Sequence, residues 1–179
     1  MAPYADSPLD NEQVGEQVYL NLLYSARKYV HIMTPYLILD QEMTVALKYA
    51  AKRGVDVKII MPHIPDKWYA FALAKTYYPE LIRAGVQIFE YTPGFVHAKS
   101  FVVDSDQAVV GTINLDFRSL YLHFECAAFL CRTSCIYDIE ADFQDTLEKC
   151  QKITMEDIKK EKLLMKAAGR LLRLFAPLM

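Results

Sequence analysis

His97-Ala-Lys99-Ser-Phe-Val-Val-Asp104-Ser-Asp-Gln-Ala-Val-Val-Gly111-Thr112-Ile-Asn114 brings a histidine, a lysine, an aspartate and an asparagine into one short stretch. Side chains at i and i+2 share a face of a strand, so His97 and Lys99 are expected to point the same way from a strand ending at Asp104. Asp104-Ser-Asp-Gln reads as a hairpin turn, and Ala108-Val-Val returns the chain to Gly111, Thr112 and Asn114 at the same end of a sheet. These residue types suit phosphate. A neutral imidazole attacks phosphorus or, once protonated, donates to a leaving oxygen, while an ammonium and an amide steady the charged oxygens. No metal or other cofactor is needed.

Working outward, the local patterns alternate between strand and helix. Residues 3–10 should be extended. Asp10 and Gln13 form a capping-box-like start for a helix carrying Val14, Val18, Leu22 and Ala26. Val30 to Thr34 reads as a buried strand, Asp40 as the N-cap of a helix closing at Gly54, and Val55 to Met61 as the next strand. That order is a βαβ unit with a parallel strand pair. Pro62 to Asp66 is a loop, followed by helical spacing from Trp68 to Tyr78, a further helical turn to Gly85 and an alternating strand from Val86 to Tyr91. Leu122 to Leu130 is another strand, and a helix from Ser134 carries Ile139, Phe143 and Leu147 for packing alone. The fold expected is α/β, a mixed β-sheet between helical layers with a C-terminal amphipathic helix. Residues 1–152 should form the domain and 153–179 a helical tail.

Two features outside the central stretch bear on chemistry. Glu125 sits in the apolar run His123-Phe-Glu-Cys-Ala-Ala-Phe, where a carboxylate is costly unless paired. His97 is the expected partner, its ring oriented by the carboxylate; an edge-strand position in water is the alternative. In the tail, Lys159, Lys162, Lys166, Arg170 and Arg173 fall in one helical stripe, with leucines, alanines and Phe175 over the rest. That pattern suits a helix at an anionic membrane surface, or a terminal helix docked on its own domain.

Composition narrows the classes. A chain of 179 residues, 53% hydrophobic, can bury the core of one ordinary domain. A net charge of -2 signals no long-range attraction to nucleic acid, and no nucleic-acid partner is expected. The four cysteines, Cys126, Cys131, Cys135 and Cys150, form no metal-ligand spacing with the histidines and read as free thiols of a reducing compartment. No run is long and apolar enough to span a bilayer, so the segment itself is expected to be soluble.

The spacing His97, Lys99, Asp104, followed by Gly111, Thr112 and Asn114, resembles the HxKxxxxD signature and GxxN tail of the phospholipase D superfamily. Thr34-Pro-Tyr36, Arg53-Gly-Val-Asp-Val-Lys-Ile-Ile-Met-Pro62, Tyr91-Thr-Pro-Gly-Phe-Val-His97 and Asn114-Leu-Asp-Phe-Arg-Ser119 further resemble the C-terminal half of bacterial cardiolipin synthases. The resemblance implies two copies of the motif meeting in one active site, yet His31, His63 and His123 have no lysine two positions later. The chain is therefore expected either to be half of a longer enzyme or to homodimerise. By the same resemblance the reaction is phosphatidyl transfer from phosphatidylglycerol through a phosphohistidine, at the bacterial cell membrane. His97, Lys99, Asp104, Asn114 and Glu125 make up the catalytic set, and Lys99, Thr112, Asn114 and Tyr36 touch substrate. Within those sets Asp104 and Thr112 are expected to brace the motif, and Glu125 to orient His97. The alternatives are a homodimeric phosphodiesterase acting on nucleic acid and a non-catalytic membrane-binding half.

Overall fold

The computed structural model describes residues 1–161 and 163–178. Eight strands form one sheet in the order β1-β9-β7-β6-β2-β4-β5-β10. At its centre β2 (Tyr29–Met33), β4 (Asp56–Pro62) and β5 (Gln87–Tyr91) run parallel. Antiparallel strands β6 (Ser100–Val103), β7 (Gln107–Gly111), β9 (Glu125–Cys131) and β1 (Ala2–Asp6) extend one side, and β10 (Cys150–Lys152) closes the other. A separate parallel pair joins β3 (Leu37–Ile38) to β8 (Leu115–Asp116).

One sheet face is covered by α1 (Val14–Ser25), α2 (Gln41–Lys52), α3 (Trp68–Ala74) and α4 (Tyr78–Ala84), which share a core with Val30, Ile32, Val57, Ile59, Ile88 and Phe101. The other face carries α5 (Cys135–Leu147), whose Ile136 and Phe143 pack on Val102, Ala108, Met33 and Ile60. The expected mixed sheet between helical layers is therefore present, its second layer a single helix. Asp40 caps α2 as expected, accepting the Met43 N–H at 2.6 Å. At α1 the expected cap is not made, because Gln13 is the N-cap and its side chain makes no capping hydrogen bond.

The central motif differs from its expected form in one respect. His97 and Lys99 lie outside the strand, which begins at Ser100. The Lys99 carbonyl still accepts the Gly111 N–H at 3.3 Å, so the hairpin register reaches the motif. At Gly111 the backbones of β7 and β9 approach so closely that an added Cβ would overlap Ala127 and the Cys126 carbonyl. Both obstructions are sheet backbone or its first carbon and cannot swing away. Gly111→Ala is expected to cost about 2 kcal/mol, a fall of about 6 °C in thermal midpoint measurable by calorimetry; an unchanged midpoint would remove this reason for the glycine.

The tail folds back onto the domain as two helices, α6 (Met155–Lys160) and α7 (Leu163–Arg173). Thr154 and Asp157 close a capping box on α6. Gly169 lets α7 approach the Ala72 carbonyl of α3. The expected basic stripe does not form one free face. Arg173 lies 4.3 Å over the Tyr77 ring and 2.9 Å from the Glu80 carboxylate, Lys166 donates to the Lys159 carbonyl, and Lys162 lies outside the described residues. The leucine side instead faces outward, with Leu163, Leu164, Leu171, Leu174 and Phe175 exposed. Among the described residues no helix is long and apolar enough to cross a membrane.

Candidate active site

β2 and β6 are antiparallel, with Met33 opposite Ser100, so the segment entering β6 lies at the carboxyl ends of the parallel strands. Open α/β sheets characteristically place ligands at that end. There a cleft of about 760 Å³ is lined by His97, Lys99, Thr112 and Asn114 together with Asp138 and Asp142 of α5. α5 thus contributes a wall as well as the packing expected of it. The His97 ring is exposed to this cleft and tilts against Phe95 at 5.4 Å.

The surroundings of His97 favour its neutral form. Burial and, next, the Lys99 ammonium hold its pKa below the ordinary histidine value, with Asp66 opposing them. The neutral ring is the form that attacks phosphorus. Burial likewise lowers Lys99, although Glu125, Asp116 and Asp66 favour its charge. Its Nζ donates to the His97 carbonyl at 2.8 Å, which links the two motif residues directly.

The remaining members of the expected set divide by place. The amide nitrogen of Asn114 donates to Ser119 Oγ at 2.9 Å, while its Oδ1 is buried without a partner among the described residues. Asp104 is at the far end of β6, where its carboxylate accepts the N–H groups of Arg27, Lys28 and Tyr29 at 2.8–2.9 Å. It secures the start of β2, at the end of β6 away from the cleft.

Glu125 departs from its expected pairing. Its carboxylate accepts the Thr112 hydroxyl and lies 3.9 Å from His123 Nδ1; among the described residues no hydrogen bond or ion pair joins it to His97. β7 intervenes between β6 and β9, and adjacent strands are about 4.8 Å apart, so the two side chains stand on either side of a strand. Nor is Glu125 on an edge, since β9 lies between β1 and β7. Thr112 also accepts the Cys126 N–H at 3.0 Å, so its hydroxyl fastens β7 to β9.

Tyr36 lies beyond Asn114 and donates to Asp66 at 2.6 Å. Asp66 and Lys67 belong to the loop after β4 that reads as a mere connection in sequence. His63 pins that loop, 2.8 Å from the buried carboxylate of Glu90, to which Tyr78 also donates. The two prolines flanking His63 and Ile64 were the available signal of a stiff, positioned loop. His31 serves packing, stacked between Tyr29 and Phe143 with Nδ1 2.8 Å from Glu140.

Residues 19–147 match the profile of a family described as "Cardiolipin synthase, PLD-like domain". A Streptococcus mutans protein without an assigned function is 60% identical over 99% of this chain and 38% of its own length. Cardiolipin synthase 2 of Bacillus anthracis is 41% identical over 98% of this chain and 34% of its length. The chain thus spans about a third of the length of the curated relatives it matches. Among solved structures, the phosphatidylserine synthase of Haemophilus influenzae superposes with a TM-score of 0.72 at 19% identity, over 99% of this chain and 45% of that one.

Proposed function

The chain belongs to the cardiolipin synthase family of phospholipase D-like domains, and from that membership we propose that it supplies one half of a phosphatidyltransferase active site. The observation that carries the proposal is the single cleft lined by His97, Lys99 and Asn114. Its ligand is the phosphodiester of a phospholipid such as phosphatidylglycerol.

His97 supplies one of two imidazoles, and its lowered pKa suits the nucleophile. Its nitrogen bonds to phosphorus as the P–O bond to the departing alcohol breaks, while a histidine from a second motif gives that oxygen its proton. The acceptor alcohol then forms a new P–O bond as the P–N bond breaks, returning its proton to the second histidine. Lys99 and Asn114 hold the phosphate oxygens through both displacements. The second motif comes from another half of a longer chain or from a second copy of this one.

The test is conversion of phosphatidylglycerol vesicles to cardiolipin and glycerol, in chelator, by an enzyme joining this chain to a second motif-bearing half. Cleavage of DNA with no lipid product would replace this reading with the phosphodiesterase one.

The tail supports action at a lipid surface through a different face from the expected lysine stripe. α7 and the turn that follows it offer Leu163, Leu164, Leu171, Leu174 and Phe175 outward, with Arg170 also exposed. An apolar face with a basic flank is the composition of an interfacial helix. Substituting Leu171→Glu and Leu174→Glu together is expected to abolish flotation with anionic vesicles while leaving the circular dichroism unchanged. Undiminished flotation would dismiss α7 as the contact.

A further inference from the structure

A second concavity of about 300 Å³ adjoins the His97 cleft and shares Asn114 with it. Tyr36, Lys67, Asp116, Arg118 and His123 are among its lining residues, drawn from three separate segments of the chain. Arg118 belongs to a π-helical turn, Arg118–Leu122, that follows β8. Such turns are rare and gather at functional sites.

The hydrogen bonding there is defined. Arg118 Nε and Nη2 lie 3.2 and 3.0 Å from His123 Nε2. A guanidinium only donates, so Nε2 is the acceptor and His123 carries its proton on Nδ1, toward Glu125 at 3.9 Å. This arrangement orients the guanidinium and leaves its Nη1 and one Nη2 hydrogen for a ligand. Lys67 brings a second cation, its Nζ 5.4 Å from the centre of the Tyr36 ring.

Acceptor groups stand on the opposite side of the ledger. Asp116 is buried and accepts the Ser119 N–H at 2.8 Å, and burial raises its pKa. Asn114 Oδ1 is buried with no partner among the described residues, and either orientation of that amide leaves one buried polar atom unsatisfied there. An unpartnered buried acceptor is costly, so a ligand hydroxyl reaching it would be favourably bound.

A bare anion would meet Asp116, and a neutral polyol would leave Arg118 and Lys67 unused. A molecule bearing both a phosphate and hydroxyls satisfies both sets. We propose that this concavity is the acceptor subsite, binding a glycerophosphate headgroup with its phosphate on Arg118 and Lys67 and a free hydroxyl on Asn114. Because Asn114 borders both spaces, the bound hydroxyl stands at the edge of the His97 cleft, where the second displacement requires it. The assignment of an acceptor rests on the transferase reading above; the binding of the headgroup does not.

The test is titration of the ¹⁵N-histidine- and ¹⁵N-arginine-labelled chain with sn-glycerol 3-phosphate, followed by NMR. Saturable shifts are expected at the His123 ring and Arg118 Nε, weakened about tenfold in Arg118→Gln and persisting in His97→Asn. Inorganic phosphate should bind about tenfold more weakly, having no glycerol hydroxyl to reach Asn114 while its phosphate is held by Arg118 and Lys67. Phosphatidylglycerol bicelles should perturb the same resonances; a response to the soluble ester alone would assign the site to a free glycerophosphate and overturn the acceptor role. Shifts confined to His97 and Lys99, or equal affinity for inorganic phosphate, would overturn the subsite itself. In the two-motif enzyme, Arg118→Gln should lower the ratio of phosphatidyl transfer to hydrolysis about tenfold. An unchanged ratio in an active enzyme would remove the subsite and leave the transferase reading standing. If the wild type transfers nothing, that reading falls and the His123 shifts still decide the headgroup site.

Discussion

His97→Asn is expected to reduce phosphatidyl transfer by the two-motif enzyme at least about 10³-fold, the scale of losing a covalent nucleophile or its acid partner. The loss should be chemical, since the ring is exposed and its recorded packing is a tilted contact with Phe95. Thermal stability should therefore be unchanged, and transfer at wild-type rates would refute the mechanism. The pH profile separates the two roles. The His97 pKa is lowered below 6.5 by burial and by Lys99. As nucleophile the residue must be neutral, so the rate should hold at pH 7 and fall as acidification passes that lowered pKa. As acid in the first displacement it would give the opposite slope, with the rate falling as pH rises through the same value. Lys99→Ala should move this limb toward higher pH by removing the second cause of the shift, alongside its cost in phosphate binding.

Asp104→Ala is expected to destabilise the domain by about 3 kcal/mol, seen as a drop of roughly 6 to 12 °C in thermal midpoint. Three backbone N–H groups, those of Arg27, Lys28 and Tyr29, lose a charged acceptor in one step. Alanine would also occupy a positive φ of 54°, which aspartate tolerates better. In the two-motif enzyme at a temperature well below its midpoint, the variant should retain a substantial part of the wild-type rate, because the carboxylate serves β2 and not the cleft. A stable variant without activity would contradict this and return Asp104 to the chemistry.

The motif aspartate, Asp104, illustrates how far local spacing carries. The turn after Val103, the strand on either side of it and the nearness of Lys99 to Gly111 follow from alternation and a hairpin signal, all short in range. So do the βαβ order of β2, α2 and β4 and the cap at Asp40. The role of Asp104, whose partners lie 75 to 77 positions away, depends on where β2 begins beside β6.

Glu125 shows the corresponding failure. A carboxylate in an apolar run needs a partner, and that requirement was legible. Which partner it finds depends on strand order, and the insertion of β7 between β6 and β9 gives it Thr112 instead of His97. The same holds for the tail, where helical periodicity marks two faces without saying which is turned inward. Close packing of Gly169 on Ala72 and the stacking of Arg173 on Tyr77 select the leucine face for the outside.

By itself, then, the sequence determined the α/β alternation and the histidine, lysine and asparagine that meet in the cleft, because each rests on residue types at short fixed spacings. The tertiary structure alone decided that Tyr36 and Lys67 approach Asn114 and Arg118 to form a second concavity, and that Asp104 and Glu125 are bound elsewhere. These are contacts between segments far apart in the chain, and their geometry is set by strand order and sheet register, which no local pattern encodes.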